Sequence, residues 1–128
     1  MPALEPLTGL RIVANPDALD AACWSGDDVV VLRFASDEAL GIGSSSVEID
    51  DPDAIVVPEP GFAGARLDAA ELVALLAHLD WSVDAPAGVI LQGKVAGVPA
   101  KLLAGEPALL VVQAAYADEL AARLGWRR

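Results

Sequence analysis

The sequence is poor in the residues that most often carry chemistry. It holds one cysteine, one histidine and two lysines, and only 5% of its 128 residues are aromatic. A lone Cys23 forms no internal disulfide, and a domain of this length buries enough surface to need none, so both points favour a reducing compartment, with the cytoplasm as default. His78 alone supports no histidine triad and no multi-histidine metal site within the chain. No apolar run approaches the eighteen or so residues of a membrane span, and Met1-Pro2-Ala3-Leu4-Glu5-Pro6 lacks the basic and apolar regions of a secretory leader. Basic charge is scarce too. Nineteen Asp and Glu against eight Lys and Arg leave a net charge of −11, which repels nucleic acid and anionic lipid, because binding to either rests on Lys and Arg.

Against these absences stands a large aliphatic fraction. Hydrophobic residues make up 55% of the chain, so a core of Leu, Val, Ile and Ala is expected, in a single domain spanning 1–128. The run Leu10-Arg11-Ile12-Val13 reads as a strand. Asn15 as N-cap and Pro16 at the first helical position open a helix that the pattern carries to about Trp24. Residues 28–34 are apolar enough for a central strand. Ser36 to Leu40 can cap one helical turn, and Gly41 to Ser46 reads as a loop. Val47 to Asp50 alternates like an edge strand, and Asp51-Pro52-Asp53 turns it into Ala54-Ile55-Val56-Val57 as a hairpin. Pro58 to Gly64 is rich enough in Pro and Gly to predict a surface loop and an internal boundary.

The second half is more regular. Asp68 as N-cap with Glu71 at N3 makes a capping box, and Leu67 with Leu72 adds a hydrophobic staple, so a helix over 69–79 is predicted with Leu72, Leu76 and Leu79 on one face. Strands over 89–95, 98–103 and 108–113 follow, joined by short links, as a meander. A final helix carries Tyr116, Ala117, Leu120 and Leu124 at helical spacing and Glu119 four residues before Arg123, and Gly125 ends it. The class is α+β: a mixed, mostly antiparallel sheet with two to three covering helices.

Several short patterns invite a chemical reading and fall short of it. Gly41-Ile42-Gly43 lacks the third glycine and the following helix that would receive a pyrophosphate. Gly43-Ser44-Ser45 lacks the second glycine of a nucleophile elbow. Cys23, late in its helix, reads as a buried structural thiol. His78 lies on the helical wheel beside Glu71, away from the leucine face, and reads as a surface residue. Two sets of residues remain as candidates. One is an interaction surface of Pro58, Glu59, Pro60, Phe62, Trp81 and Trp126, because aromatics on rigid loops and at helix ends serve either as core plugs or as contact anchors. The other is a carboxylate set, Asp37 and Glu38 or Glu48, Asp50, Asp51 and Asp53, which would do acid–base work if a pocket separated their pKa values.

From Leu67 to Trp126 the chain resembles the gamma chain of heterotetrameric sarcosine oxidase and relatives with an aminomethyltransferase-like fold. The likeness rests on the leucine-rich helix, Val89-Ile90-Leu91-Gln92-Gly93, Val95-Ala96-Gly97-Val98-Pro99, Leu109-Leu110-Val111-Val112 and Tyr116-Ala117-Asp118. It implies an accessory subunit without an active site of its own, and it transfers no site residue. The expectation is therefore a non-catalytic interaction or accessory domain with a protein partner or a second copy, no cofactor, no metal, no nucleic acid and no membrane. The alternative is a small carboxylate-based enzyme or small-molecule binder.

Overall fold

The computed structural model describes residues 2–126. It is a sheet-dominated α+β fold. The elements in chain order are β1 (Glu5–Val13), α1 (Pro16–Asp20), β2 (Cys23–Ser25), β3 (Val30–Ala35), β4 (Glu38–Ile42), β5 (Ser46–Glu48), β6 (Ile55–Leu67), α2 (Ala69–Leu75), β7 (Ile90–Val95), β8 (Val98–Leu103), β9 (Ala108–Gln113) and α3 (Ala117–Leu124). The pairs β1–β4, β2–β5, β3–β4, β6–β9, β7–β8 and β8–β9 are all antiparallel. No described helix is long and apolar enough to cross a membrane. Leu7–Pro60 forms one compact unit, and the described residues on either side of it form a second. The division after Pro60 falls inside the Pro-rich segment read as an internal boundary.

In the Leu7–Pro60 unit the strand order runs β3-β4-β1. The apolar run of β3 predicted a central strand, yet β3 is at the end of this order. The central place belongs to β4, which pairs with β1 from Val13↔Glu38 to Gly9↔Ile42 and with β3 from Ala35↔Glu38 to Val30↔Ile42. The residues read as a helical turn and a loop thus form a strand. Two-sided burial explains the difference: successive side chains of a strand face opposite ways, and Ala39 and Leu40 are both about 1% exposed. Ser36 and Asp37 form the two-residue turn of the β3–β4 hairpin.

The first helix starts as predicted. Asn15 Oδ1 accepts the Asp17 backbone N–H at 2.9 Å, and Pro16 sits in the first turn. It stops at Asp20, however, instead of reaching Trp24. Cys23, Trp24 and Ser25 pair with Glu48, Val47 and Ser46 as a two-stranded ribbon, so β5 partners β2 and not the 54–57 segment. Trp24 settles this locally. Its ring lies on Gly41 so closely that a Cβ there would fall within the ring's van der Waals envelope. With Val47, Ile49 and Ala54 it packs on the buried cluster of Ile12, Ala14, Leu19 and Ala39. A helical Trp24 would lose both contacts.

In the second unit β7, β8 and β9 form the predicted meander, and the part of β6 beyond Pro60 pairs with β9, with registers such as Ala65↔Leu110, Leu102↔Leu110 and Leu91↔Leu102. These pairings place Ala63, Ala65, Leu67, Val98, Ala100, Leu102, Leu110 and Val112 in one core with Leu75 of α2 and Leu120 and Ala121 of α3. Ala96 and Gly97, at φ 49° and 83°, make the tight β7–β8 turn, which matches the right-handed twist of the strands. The capping box is complete: Glu71 N donates to Asp68 Oδ1 at 2.8 Å and Asp68 N donates to Glu71 Oε1 at 3.0 Å. After Leu75 the helix tightens to a 3-10 turn over Leu76–His78. Leu75, three residues on from Leu72, carries the burial at 2% exposure while Leu76 is 41% exposed, and Leu72 and Leu79 of the predicted face pack partly buried on the core. Beyond α3, Gly125 adopts φ 73°, Gly125 N donates to Ala122 O and Trp126 N to Ala121 O at 2.8 Å, a Schellman closure.

Pro58 to Gly64 is not a loop. The strand β6 runs straight through it for 13 residues. Proline is compatible with an extended strand wherever its nitrogen is not asked to donate, and the β9 ladder begins only beyond Pro60, at Phe62↔Gln113.

Candidate functional site

Charge is unevenly divided between the two units. Leu7–Pro60 carries eleven Asp and Glu against only Arg11 and Arg33, a net of −9 out of the chain's −11. Both arginines are engaged within the unit. Arg11 Nε and Nη2 reach Glu38 Oε2 at 3.2 and 3.0 Å, its Nη1 reaches Glu59 Oε1 at 3.4 Å, and its guanidinium carbon stands 5.8 Å from the centre of the Phe34 ring. The β1–β4 register explains the pairing with Glu38: Arg11 opposes Leu40, and Glu38, two residues along, shares its face. Arg33 holds α1 against β3, with Nη1 2.7 Å from Asp20 Oδ1 and Nη2 donating to the carbonyls of Pro16 and Ser36.

The carboxylate candidates differ in what holds them. Glu38 is bound to Arg11, Asp37 lies exposed in the β3–β4 turn, and Glu48 lies exposed on β5. Asp51 is structural: its Oδ2 accepts Asn15 N at 2.8 Å and its Oδ1 accepts Asp53 N at 2.9 Å. The backbone N–H of Asn15, then that of Asp53, hold its carboxyl below the usual aspartate pKa. Asp50 and Asp53 are exposed and enter none of the ion pairs among the described residues. No group of three or more His, Cys, Asp and Glu among the described residues has the arrangement of a metal site. What the unit presents instead is a field of solvated carboxylates at Asp17, Asp27, Asp28, Asp37, Glu48, Asp50 and Asp53.

Immediately after the 50–53 acids comes an apolar run that the sequence pattern marks only as half of a hairpin. Ile55, Val56 and Val57, which open β6, are 60%, 41% and 43% exposed. Three consecutive strand residues face both ways, so both faces of β6 are open to solvent here. Pro58 and Pro60 beside them are exposed, and Glu59 is half-buried against Arg11. Phe62 takes the other of its two predicted roles: at 8% exposure it is a core plug.

The remaining candidates lie in the second unit, and each has a structural task. Trp81 lies on Gly93, and its Nε1 donates to the Lys94 carbonyl at 2.8 Å. Trp126 packs on the core from its place in the Schellman closure. Together with Pro2, Glu71, Ala74, Leu75, His78 and Leu124 it lines a depression of about 140 Å³, smaller than the several hundred Å³ usual for a ligand pocket. His78 is exposed, as predicted. Cys23, expected to be buried, is exposed, because it sits on β2 instead of in a helix. Ser44 is the buried polar residue of the loop after β4, its Oγ 2.8 Å from the carbonyls of Ser25 and Ser46. Sequence reasoning does not single out Arg11 or Ile55 to Val57. A signal for Arg11 exists, a lone cation inside an apolar strand, but its carboxylate partners become neighbours only through the sheet. Compared with known proteins, the chain matches no family model and no curated protein.

Proposed function

We propose that this chain is a non-catalytic interaction or accessory domain whose Leu7–Pro60 unit receives a basic protein partner. The observation that carries this reading is the segregation of charge: a net of −9 on 54 residues, with both arginines already paired inside the unit. Such a surface attracts a cationic partner over a distance set by the Debye length, about 8 Å at physiological salt, and steers its approach. The same charge opposes a second copy docking through this unit. Of the two partners expected from sequence, a distinct basic protein therefore fits better than a homo-oligomer. The resemblance of residues 67–126 to an oxidase gamma chain supports an accessory role.

Affinity capture of the full chain from its host's extract tests this, run at about 0.05 M and about 0.5 M salt, where screening differs several-fold. A variant carrying Glu48→Gln, Asp50→Asn and Asp53→Asn is run in parallel. The expected result is one basic protein recovered in stoichiometric amount at low salt and lost both at high salt and with the variant. A chain that stays monomeric and retains no protein at either salt overturns the proposal.

A further inference from the structure

Between the 3-10 turn that ends at His78 and the start of β7 at Ile90 the chain has no helix or strand, yet its burial alternates. Leu79, Trp81, Val83 and Ala85 are partly buried while Asp80, Ser82, Asp84 and Pro86 are exposed, the period of an extended segment with one face on a core. Leu79, Trp81 and Val83 pack on the cluster that holds Val95, Leu102 and Leu120. Main-chain hydrogen bonds fix both ends. Ala96 N donates to the His78 carbonyl at 3.0 Å, and at the far end Gly88 N donates to Ala104 O at 2.8 Å and Ala104 N to Val89 O at 2.9 Å. Ala96 follows the last residue of β7 and Val89 precedes the first, so the segment runs back along the length of that strand. Its middle is held by very little. Among the described residues no backbone N–H of 80–87 donates to a main-chain carbonyl, and that of Asp84 reaches only the neighbouring Ser82 Oγ at 3.2 Å. The bond from Trp81 Nε1 to the Lys94 carbonyl is the one hydrogen bond that ties these residues to another element.

We infer that residues 80–87 form a strap that opens and closes over β7 while the sheet beneath stays folded, with Trp81 as its latch. Segments with few buried contacts and few main-chain bonds open locally, at a cost well below that of unfolding the whole domain, and this one is tied at its ends and pinned once between them. The latch has a built seat: Gly93 presents no side chain, and a Cβ added there would stand 2.5 Å from Trp81 Nε1. Closed, the ring covers Gly93 and satisfies the Lys94 carbonyl. Open, the flat surface at Gly93 and that carbonyl are bared together, an apolar surface with one acceptor that the closed chain does not present. The latch thus sets access to this part of the core. The inference does not depend on the acidic docking role of Leu7–Pro60.

Limited digestion of the full chain with chymotrypsin reads the opening directly, because the enzyme cuts after aromatic residues such as Trp81 and needs an accessible, extended chain. Rates of cutting after residue 81 are taken relative to a free peptide of residues 78–86 with the matching sequence. The expected rate is the same in water and in about 1 M urea, since local opening exposes little new surface, whereas cutting through unfolding of the whole domain would speed up at least about fivefold over that range. Trp81→Phe keeps the cut site and an apolar ring but has no N–H for the Lys94 carbonyl, and it should be cut about fivefold faster than the parent, the scale of one hydrogen bond. Gly93→Ala, which fills the seat and leaves Trp81 itself unchanged, should be cut faster by at least that factor, again without urea dependence. A parent rate that climbs with urea as whole-domain unfolding requires overturns the inference, and so do Trp81→Phe and Gly93→Ala chains that are cut no faster than the parent.

Discussion

Two tryptophans in this protein rest on glycines, and that arrangement ties single atoms to stability. Gly41 on β4 lies under Trp24, and Gly93 on β7 lies under Trp81. Gly41→Ala pushes a methyl group into an aromatic ring held by the Ile12 and Leu19 cluster, so a loss of about 1–3 kcal/mol in urea unfolding is expected, the usual cost of overpacking. A loss below about 0.5 kcal/mol, the range of ordinary surface substitutions, would mean that Trp24 does not hold this position. Protonation of Asp51 is coupled to folding. Its folded pKa is depressed, first by the Asn15 N–H and then by that of Asp53. Its contribution is therefore fully present above the unfolded aspartate value of about 3.9 and is lost as pH falls through the lower folded value. Asp51→Asn keeps one acceptor oxygen of two. The variant should be less stable than the parent at pH 7, and the gap should narrow as pH drops below about 4. A gap that stays constant with pH would show that these two hydrogen bonds do not depend on the charge.

Among the elements, α2 and β4 illustrate opposite limits of local reading. The start of α2 and the end of α3 are set locally, by the Asp68–Glu71 capping box and by Gly125 at φ 73°, and both form where the sequence implies. Asp68→Ala removes the acceptor for Glu71 N and should cost about 1 kcal/mol, read as a lower unfolding midpoint with unchanged denaturant dependence. The pairing of β4 cannot be read that way. Ser36 to Leu40 has helix-start chemistry, yet Ala39 must face the Ile12 cluster while Leu40 faces the opposite side of the sheet. Only the flanking strands β1 and β3 create those two environments. The same applies to Cys23-Trp24-Ser25, where pairing with β5 and the seat on Gly41 override a helical continuation, and to Pro58 to Gly64, where strand neighbours override turn composition. Leu76, part of the predicted leucine face, is exposed, and Leu75 beside it joins Leu72 and Leu79 against the core.

At the scale of the whole molecule, imbalance of charge has the largest consequences. Like carboxylates concentrated in Leu7–Pro60 repel one another in the folded state, and added salt screens that repulsion. Raising sodium chloride from about 0.02 M to about 0.5 M should therefore raise the thermal midpoint by a few degrees, since about 1 kcal/mol corresponds to roughly 3–6 °C at this size. A midpoint that falls with salt would mean that the Arg11 and Arg33 ion pairs outweigh the repulsion. The amino-acid sequence by itself determined the α+β class, the meander of β7 to β9, the caps at Asn15 and Asp68, the Glu119–Arg123 pair and the acidity. These depend on composition and on residues close along the chain. Tertiary structure decided which acids are engaged, since Glu38 and Glu59 meet Arg11 across 27 and 48 residues. It also decided that Phe62 is core while Ile55, Val56 and Val57 are surface. Hydrophobicity is the same on both sides of that division; burial is fixed by which strand lies alongside, and a strand's neighbours are chosen by the whole sheet.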